Sequence, residues 1–453
     1  MPASLGGRDA RDPPEPGGTI PRMMADPVEP RPFAVLPRGL APLGYRNFLL
    51  YWIGWIASNT GKWAELTGSL WLVFELTRSP ILLGLIGVWR AVPAMILSPF
   101  AGVVADRVDK RRLLLVTQGL GLGASGVLAV LILSGAVEVW HVYLQVAFQA
   151  AVTSFDSAAR QALFPKLIPR SRLPEAVTLS VTAGRTSKLL GPAIGGFAIA
   201  ALGEAAPYLL NCGSFVILML AVVAMAATTA TGPVANADSF RGQLVEGLRY
   251  VLRAPVLRGL VQLEIVYSIF SMNEAMITII GLQLLGVGPG ELGLLLSAPA
   301  FGSLIAISSL IVLRPPSRPG RFIILSTLMY AVAIVAAGLV SEFWPIVLTL
   351  VATGLLDAYS TVTRHTIMQL AAPGDMRGRV MANMGTITQG MAPIANTQSG
   401  VLSGLIGVPL ALATSGAALA AAAFVLSRRN HLLWNFGRNT AGGDPASPKP
   451  GTR

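Results

Sequence analysis

The feature that most constrains this chain is a series of apolar stretches, each about 20 residues long or longer. A helix of that length crosses a hydrocarbon core of roughly 30 Å. Lipid offers no hydrogen bonds to the backbone, so each crossing segment must satisfy its own amides as a helix. The expected spans are 48–74, 81–105, 113–134, 139–163, 174–201, 206–228, 260–285, 292–313, 322–339, 344–370, 380–405 and 408–426. The sequence therefore predicts an all-α membrane protein with about twelve transmembrane helices.

The composition supports a membrane protein and argues against a nucleic-acid-binding one. Of the 453 residues, 53% are hydrophobic and only 12% are charged, whereas soluble domains carry about 25% charged residues. The formal charge of +12 would suit nucleic acid only if the basic residues formed one water-facing patch. They lie instead in short clusters between apolar runs. We therefore expect the lipid bilayer, and no nucleic acid, as a partner.

The loops between the spans alternate in charge. One set of alternate loops is rich in Lys and Arg, and the other set contains Glu75, Glu138, Glu204, Glu291 and Glu342. Basic loops stay in the cytoplasm. The pattern predicts a multi-pass protein of the plasma membrane, the inner membrane of a bacterium, with both termini in the cytoplasm.

The spans divide into two halves of six. The expected boundaries are a disordered cytoplasmic tail at 1–43, a helix bundle at 44–229, an amphipathic cytoplasmic linker at 230–258, a second bundle at 259–427 and a cytoplasmic tail at 428–453. Two pseudo-symmetric six-helix bundles are typical of transporters built from repeats.

A loop motif follows the second span. Its sequence is Gly102-Val-Val-Ala-Asp106-Arg107-Val-Asp109-Lys-Arg111-Arg. We expect Asp106 to cap the third span. The spacing of the glycine, the Asp-Arg pair and the basic cluster resembles the signature loop of the major facilitator superfamily, with Asp109 where that family often has glycine. The resemblance implies a clasp loop that closes the cytoplasmic side, formed by Gly102, Asp106, Arg107 and Arg111.

A second motif lies in the fifth span and contains Ser187, Gly191, Pro192, Gly195 and Gly196. It resembles the glycine-proline motif of the superfamily's exporters, with Ser187 in place of the first glycine. Proline interrupts the backbone ladder and kinks the helix, and small residues let helices cross closely. A generic kinked membrane helix is the alternative interpretation.

Short phrases along the chain narrow the resemblance to one branch. Segments 61–63, 74–80, 246–250 and 377–380 are similar to the enterobactin-exporter and macrolide-efflux-like branch. That branch implies proton-driven export of siderophores, macrolides or other amphiphiles. Many relatives have an acidic or amide residue where this chain has Lys62, which puts proton coupling at that position in doubt.

Ionisable residues occur inside the expected spans, where a charge costs roughly 2.5–3.5 kcal/mol on insertion. Glu65, Glu274 and Asp357 are the candidates for carrying a coupling proton. The candidates for lining the cavity and binding a ligand are Lys62, Arg90, Asp156, Arg185 and Lys188. Fixed ion pairs that hold the bundle together are the alternative.

Specific contacts are expected for several of these residues. Lys62 should pair with Glu274 across the halves, and Asp156 with Arg160 at helical i,i+4 spacing. Arg364 and His365 lie near a helix end and should extend to the interface. The cationic residues of the first half suggest a ligand with an anionic group.

The leading hypothesis is a monomeric secondary transporter that exports small amphiphilic molecules in exchange for protons by alternating access. Uptake or lysophospholipid transport on the same fold is one alternative, and a non-transporting membrane sensor or assembly factor is another. An enzyme is not expected, because the histidines His141, His365 and His431 are scattered and form no metal-ligand cluster. A phosphate-binding loop is also missing from the sequence, and the proton gradient takes the place of any cofactor.

Overall fold

The computed structural model describes residues 37–225, 246–247, 249–312, 316–374 and 376–437, and these residues contain helices but no strands. The helices are α1 (Arg46–Thr77), α2 (Pro80–Arg107), α3 (Lys110–Leu133), α4 (Val139–Leu163), α5 (Leu173–Leu202), α6 (Ala206–Ala224), α7 (Pro255–Phe270), α8 (Glu274–Ile279), α9 (Pro289–Val312), α10 (Pro319–Leu339), α11 (Phe343–Ala371), α12 (Arg377–Ile406), α13 (Val408–Arg429) and α14 (His431–Trp434). In their described residues, all expected spans but the seventh fall mainly on one helix each. By length and hydropathy, eight helical stretches of the described chain are able to cross a membrane.

The regions expected to be tails and linker lie mostly outside the described residues. Their described parts are partly helical: Arg38–Gly44 is a 3-10 helix, and α13 continues to Arg429 and is followed by α14. Leu433 of α14 is fully buried, and the Asn430 side chain donates to the Pro255 carbonyl at 2.7 Å. α14 and the preceding Asn430 therefore pack on α7.

The seventh expected span is not one continuous helix. α7 ends at Phe270, and Asn273 starts α8 by accepting a hydrogen bond from the Met276 amide at 3.0 Å. In between, the Met272 amide donates to the Tyr330 hydroxyl at 3.0 Å. A side-chain cap and a side-chain acceptor thus replace the missing helical bonds.

The helices pack in two sets, which we name the first group (α1–α6) and the second group (α7–α13). In the first group α1 packs on α5 and α6, α2 on α4, and α3 on α4 and α6. In the second group α9 packs on α11, α10 on α11 and α13, and α7 on α12 and α13. The two groups meet along two seams, α2 with α12 and α5 with α9.

Glycines close both seams at one end. A Cβ on Gly84 of α2 would lie 2.8 Å from the Asn396 carbonyl oxygen of α12, and a Cβ on Gly293 of α9 would lie 3.1 Å from Cα of Gly196 in α5. These positions lie toward the end of the molecule where Glu75, Glu204 and Glu291 occur, at or next to the helix ends. Only glycine permits the backbones to approach this closely.

The other end carries the basic loops, at residues 107–112, 164–172, 253–258, 316–321 and 376–379, and we name it the basic end. There the described residues of α2 and α12 show no close approach at their glycines. A Cβ on Gly102 of α2, or on Gly385 or Gly390 of α12, would meet nothing within 4 Å. At the basic end the described residues of α2 and α12 therefore lack the close glycine contact that joins these helices at the other end.

Candidate functional site

A cavity lies between the two groups at mid-depth. It has a volume of about 200 Å³ and is lined by residues of α5, of the break between α7 and α8, and of α9, α10 and α11. Its polar lining includes Arg185 and Lys188 from the first group and Tyr330 and Asp357 from the second. The cavity wall thus brings together three predicted site residues, Arg185, Lys188 and Asp357.

An ion pair joins the two groups beside this cavity. Lys188 Nζ on α5 lies 3.2 Å from Glu274 Oε1 on α8. The two side chains are 44% and 25% exposed, so the pair is reachable from the cavity. The Lys188 ammonium also lies over the Trp63 ring of α1, 4.9 Å from its centroid, which is cation–π distance.

The expected pairing of Lys62 with Glu274 is wrong. Lys62 Nζ lies 3.0 Å from Asp156 Oδ2, inside the first group. The rotation of α1 explains the difference. Gly61 packs on α6 and Trp63 on Gly191 of α5, so residue 62 is left facing α4.

Asp156 is the centre of a buried network. The expected i,i+4 pair with Arg160 is present, and the Gln118 side chain donates to Asp156 Oδ1 at 2.6 Å. Asp156 is 1% exposed. Two cations and one amide therefore surround one carboxylate, which offsets the desolvation of its charge.

Glu65 lies in a closed polar cage of the first group and is 4% exposed. Its carboxylate accepts hydrogen bonds at 2.5 Å from Ser125 of α3, Gln145 of α4 and Asn211 of α6. All three donors are neutral. Three helices therefore hold one carboxylate through neutral hydrogen-bond donors.

A second buried ion pair lies in the second group, and sequence reasoning missed it. Arg364 Nη1 of α11 lies 2.6 Å from Glu264 Oε2 of α7, with side chains 3% and 4% exposed. The prediction that Arg364 extends to the interface is therefore wrong, whereas His365 is exposed. The only sequence signal was the presence of opposite charges in two spans, which does not identify partners.

Among the described residues, no hydrogen bond or ion pair of the clasp loop bridges the two groups. Asp106 and Arg107 are exposed, and Arg111 donates to the Val222 and Val223 carbonyls at the end of α6, at 2.8 and 2.7 Å. The expected cap of the third span by Asp106 is wrong. α2 continues to Arg107, and Asp109 caps α3 by accepting from the Arg112 amide at 2.8 Å.

The loops at the basic end lie close together. Partial burial, and then the neighbouring Lys110 ammonium, lower the pKa of Lys166. The loop after α4 therefore lies near the loop after α2.

The glycine-proline motif packs on both groups at once. Gly191 and Gly195 face α1, at Trp63 and Ala64, while Gly196 faces Gly293 of α9. Ser187 is fully buried and accepts a hydrogen bond from Thr60 at 3.1 Å. The small residues at these positions permit this close crossing of the helices. Pro192 lies within an α5 that is helical from Leu173 to Leu202.

Residues 38–435 match the family described as transmembrane secretion effector, a family of the major facilitator superfamily. The chain belongs to the major facilitator superfamily. It is 26% identical over 381 residues to the MFS-type transporter YfiS of Bacillus subtilis, covering 80% of this chain and 88% of that one. It is 25% identical over 362 residues to the multidrug efflux pump Tap of Mycolicibacterium fortuitum, covering 78% and 88%.

A third relative is the enterobactin exporter EntS of Shigella boydii, with 27% identity over 280 residues, 62% of this transporter and 66% of EntS. Solved structures show the same fold. A bacterial homologue of the human lysosomal transporter Spinster, in an inward-facing and unoccupied conformation, aligns with a TM-score of 0.64 at 12% identity over 89% of this chain and 98% of that one. A peptide transporter of the POT family aligns with a TM-score of 0.67 at 11% identity over 88% and 100%.

These likenesses confirm the superfamily and its efflux-related branch. The protein is a multi-pass helical membrane transporter by family, with the bilayer and a small molecule as partners. Its relatives are transporters and not enzymes. The expected site roles and domain boundaries stay predictions.

Proposed function

We propose that this protein is a proton-coupled exporter of small amphiphilic molecules that works by alternating access between two six-helix bundles. The ion pair between Lys188 and Glu274 carries the proposal, because it joins the two groups at the wall of a central cavity. The relatives described as a multidrug efflux pump and an enterobactin exporter support export of drug-like or siderophore-like compounds.

The seams between the groups favour alternating access. Close backbone contact at glycines joins the groups at one end, whereas a Cβ on Gly102 of α2, or on Gly385 or Gly390 of α12, at the basic end would meet no described atom within 4 Å. Because basic loops stay inside, we place the basic end and both termini in the cytoplasm of a bacterial cell. The described state is then open to the cytoplasm. The clasp loop would close the cytoplasmic side in the opposite state. We expect the transporter to function as a monomer.

Glu274 is the best of the three candidates for the coupling proton. Protonation removes its charge and with it the ion pair to Lys188, which is a contact between the groups. By contrast, every hydrogen-bond partner found for Glu65 lies in the first group, so its protonation has no direct effect on the seam. Asp357 lines the cavity but forms no ion pair within the described residues.

Transport by everted membrane vesicles tests this proposal. Vesicles carrying the wild type should take up ethidium or enterobactin when a proton gradient is applied, and adding the compound should release protons. Glu274→Gln should abolish gradient-driven uptake. Glu75→Gln, a substitution in the exposed pair with Arg78, is the control and should leave it unchanged.

Other outcomes of the vesicle assay would support a different function. Accumulation in right-side-out vesicles but not in everted ones would indicate uptake into the cell. If the accumulated compound were a lysophospholipid, the protein would be a lysophospholipid importer. Full gradient-driven transport by Glu274→Gln would exclude that residue as the proton carrier. A protein that moves neither compound nor protons would fit a membrane sensor or an assembly factor.

A further inference from the structure

The Lys188 ammonium occupies a site built for a cation. Its neighbours are a carboxylate oxygen of Glu274 at 3.2 Å and the face of the Trp63 ring at 4.9 Å. A carboxylate beside an aromatic face is the arrangement by which proteins recognise organic ammonium groups. In this structure the cation held there belongs to the protein itself.

Trp63 and Glu274 are held in place by contacts independent of Lys188. Trp63 packs against Gly191 of α5, where any side chain would collide with its Cβ. Glu274 is the first residue of α8, next to the cap residue Asn273, whose side chain also donates to Ser399 of α12 at 2.8 Å. The places on α1 and α8 from which the ring and the carboxylate extend are therefore set without Lys188.

Lys188 itself is able to leave. Its side chain is 44% exposed and its four-carbon stem is flexible. It lines the cavity, and a second carboxylate, that of Asp357, lines the same space. A half-exposed ion pair is weakly held compared with a buried one.

The same geometry argues against an anion as the first ligand of this site. An anionic group would have to displace the Glu274 carboxylate from Lys188, and it would then lie beside that carboxylate. An organic cation would instead displace Lys188 and take over both of its partners, the carboxylate and the indole ring. The expectation of an anionic ligand rested on the cationic residues of the first half, of which Lys188 is already paired with Glu274.

We propose that Trp63 and Glu274 form a binding site for the ammonium group of an amphiphilic cation, and that Lys188 fills this site when no ligand is bound. The proposal rests on the proposed function for its transport role, since it names the substrate class of the same cavity. Ligand binding then breaks the ion pair across the groups. It also competes with a proton for Glu274, as exchange of substrate for protons requires. The charged groups whose fields reach Glu274 are Lys188 and then Arg90 of α2.

Removal of Lys188 should therefore strengthen cation binding. If the tethered ammonium fills the site about nine-tenths of the time, the apparent affinity for a competing cation is about tenfold below its intrinsic value. Lys188→Met should raise the affinity for phenyltrimethylammonium about tenfold. It should lower the affinity for benzenesulfonate, an anion of similar size and shape.

The experiment is a ligand-observed NMR titration of the purified protein in detergent without any gradient. Arg185→Met is the matched control, because Arg185 is a cation of the same helix that lines the same cavity. It changes the field by one charge without emptying the site, so the rise in cation affinity should be at least threefold smaller than with Lys188→Met. Glu274→Gln or Trp63→Leu, introduced into Lys188→Met, should remove the gain.

Equal gains from Lys188→Met and Arg185→Met would overturn the proposal, because the effect would then be one of the general field. No gain, or a loss, with both Lys188→Met and Lys188→Gln would overturn it as well, provided that both variants elute as monodisperse protein. Since binding is measured without transport, the site can be confirmed even if the vesicles show no proton exchange. Conversely, if the vesicles exchanged substrate for protons but Lys188→Met did not raise cation affinity, the binding site would be refuted while the proposed transport function remained.

Discussion

Breaking the buried ion pair between Glu264 and Arg364 should cost more stability than any exposed pair in the described chain. The charged atoms lie 2.6 Å apart, and the side chains are 4% and 3% exposed. With so little solvent, neither charge is screened by water when its partner is removed. Arg364→Met leaves Glu264 with the hydroxyls of Thr388 at 2.7 Å and Ser268 at 3.2 Å as its hydrogen-bond donors.

The magnitude follows from the cost of leaving one charge buried. Removing one partner of such a pair costs about 3–5 kcal/mol, which lowers the ratio of folded to unfolded protein by more than about 100-fold. Glu264→Gln should cost a similar amount, because it leaves the Arg364 guanidinium buried with Thr361 as a hydroxyl acceptor at 3.1 Å and the Tyr267 ring as a cation–π partner. The double variant leaves no buried charge and should cost less than either single variant.

Unfolding by SDS in mixed micelles measures these free energies. The exposed pair of Glu75 and Arg78, with side chains 37% and 66% exposed, is the control, and Arg78→Met should cost about 1 kcal/mol or less. If the double variant at the buried pair cost as much as the sum of the single variants, the two charges would not interact, and the reasoning from burial would be refuted.

Two further predictions concern the seams and a helix start. Gly293→Val places a side chain against the Pro192 carbonyl and Gly196, which should force α5 and α9 apart at the closed end of their seam. A cysteine placed at that end should then react faster with a membrane-impermeant maleimide. An unchanged rate of reaction would contradict the close packing of α5 on α9. Asp109→Ala removes the cap of α3 and should lower the free energy of unfolding by about 1 kcal/mol, whereas Asp106→Ala, at an exposed residue in the last turn of α2, should change it by less than about 0.5 kcal/mol. Equal costs would show that the cap assignment is wrong.

The sequence was sufficient for the helices and for the family. All expected spans but the seventh fall mainly on one helix each in their described residues, because the length of an apolar run and the need to satisfy the backbone are local properties. The break at 271–273 was missed, since it depends on the hydroxyl of Tyr330 from α10. The cap of α3 was misplaced by three residues because two aspartates compete for it within one short loop.

The partners of the buried charges came from tertiary structure alone. Asp156 and Arg160 were predictable because both lie on one helix, at a spacing that brings side chains together. Lys62 and Glu274 have other partners than expected, because the glycines at 61 and 191 set how α1 is turned against its neighbours. Glu264 and Arg364 are 100 positions apart and meet only when α7 packs near α11. Hydropathy dictates which segments enter the membrane, but the rotation of each helix about its axis decides which charge meets which, and that is set by packing.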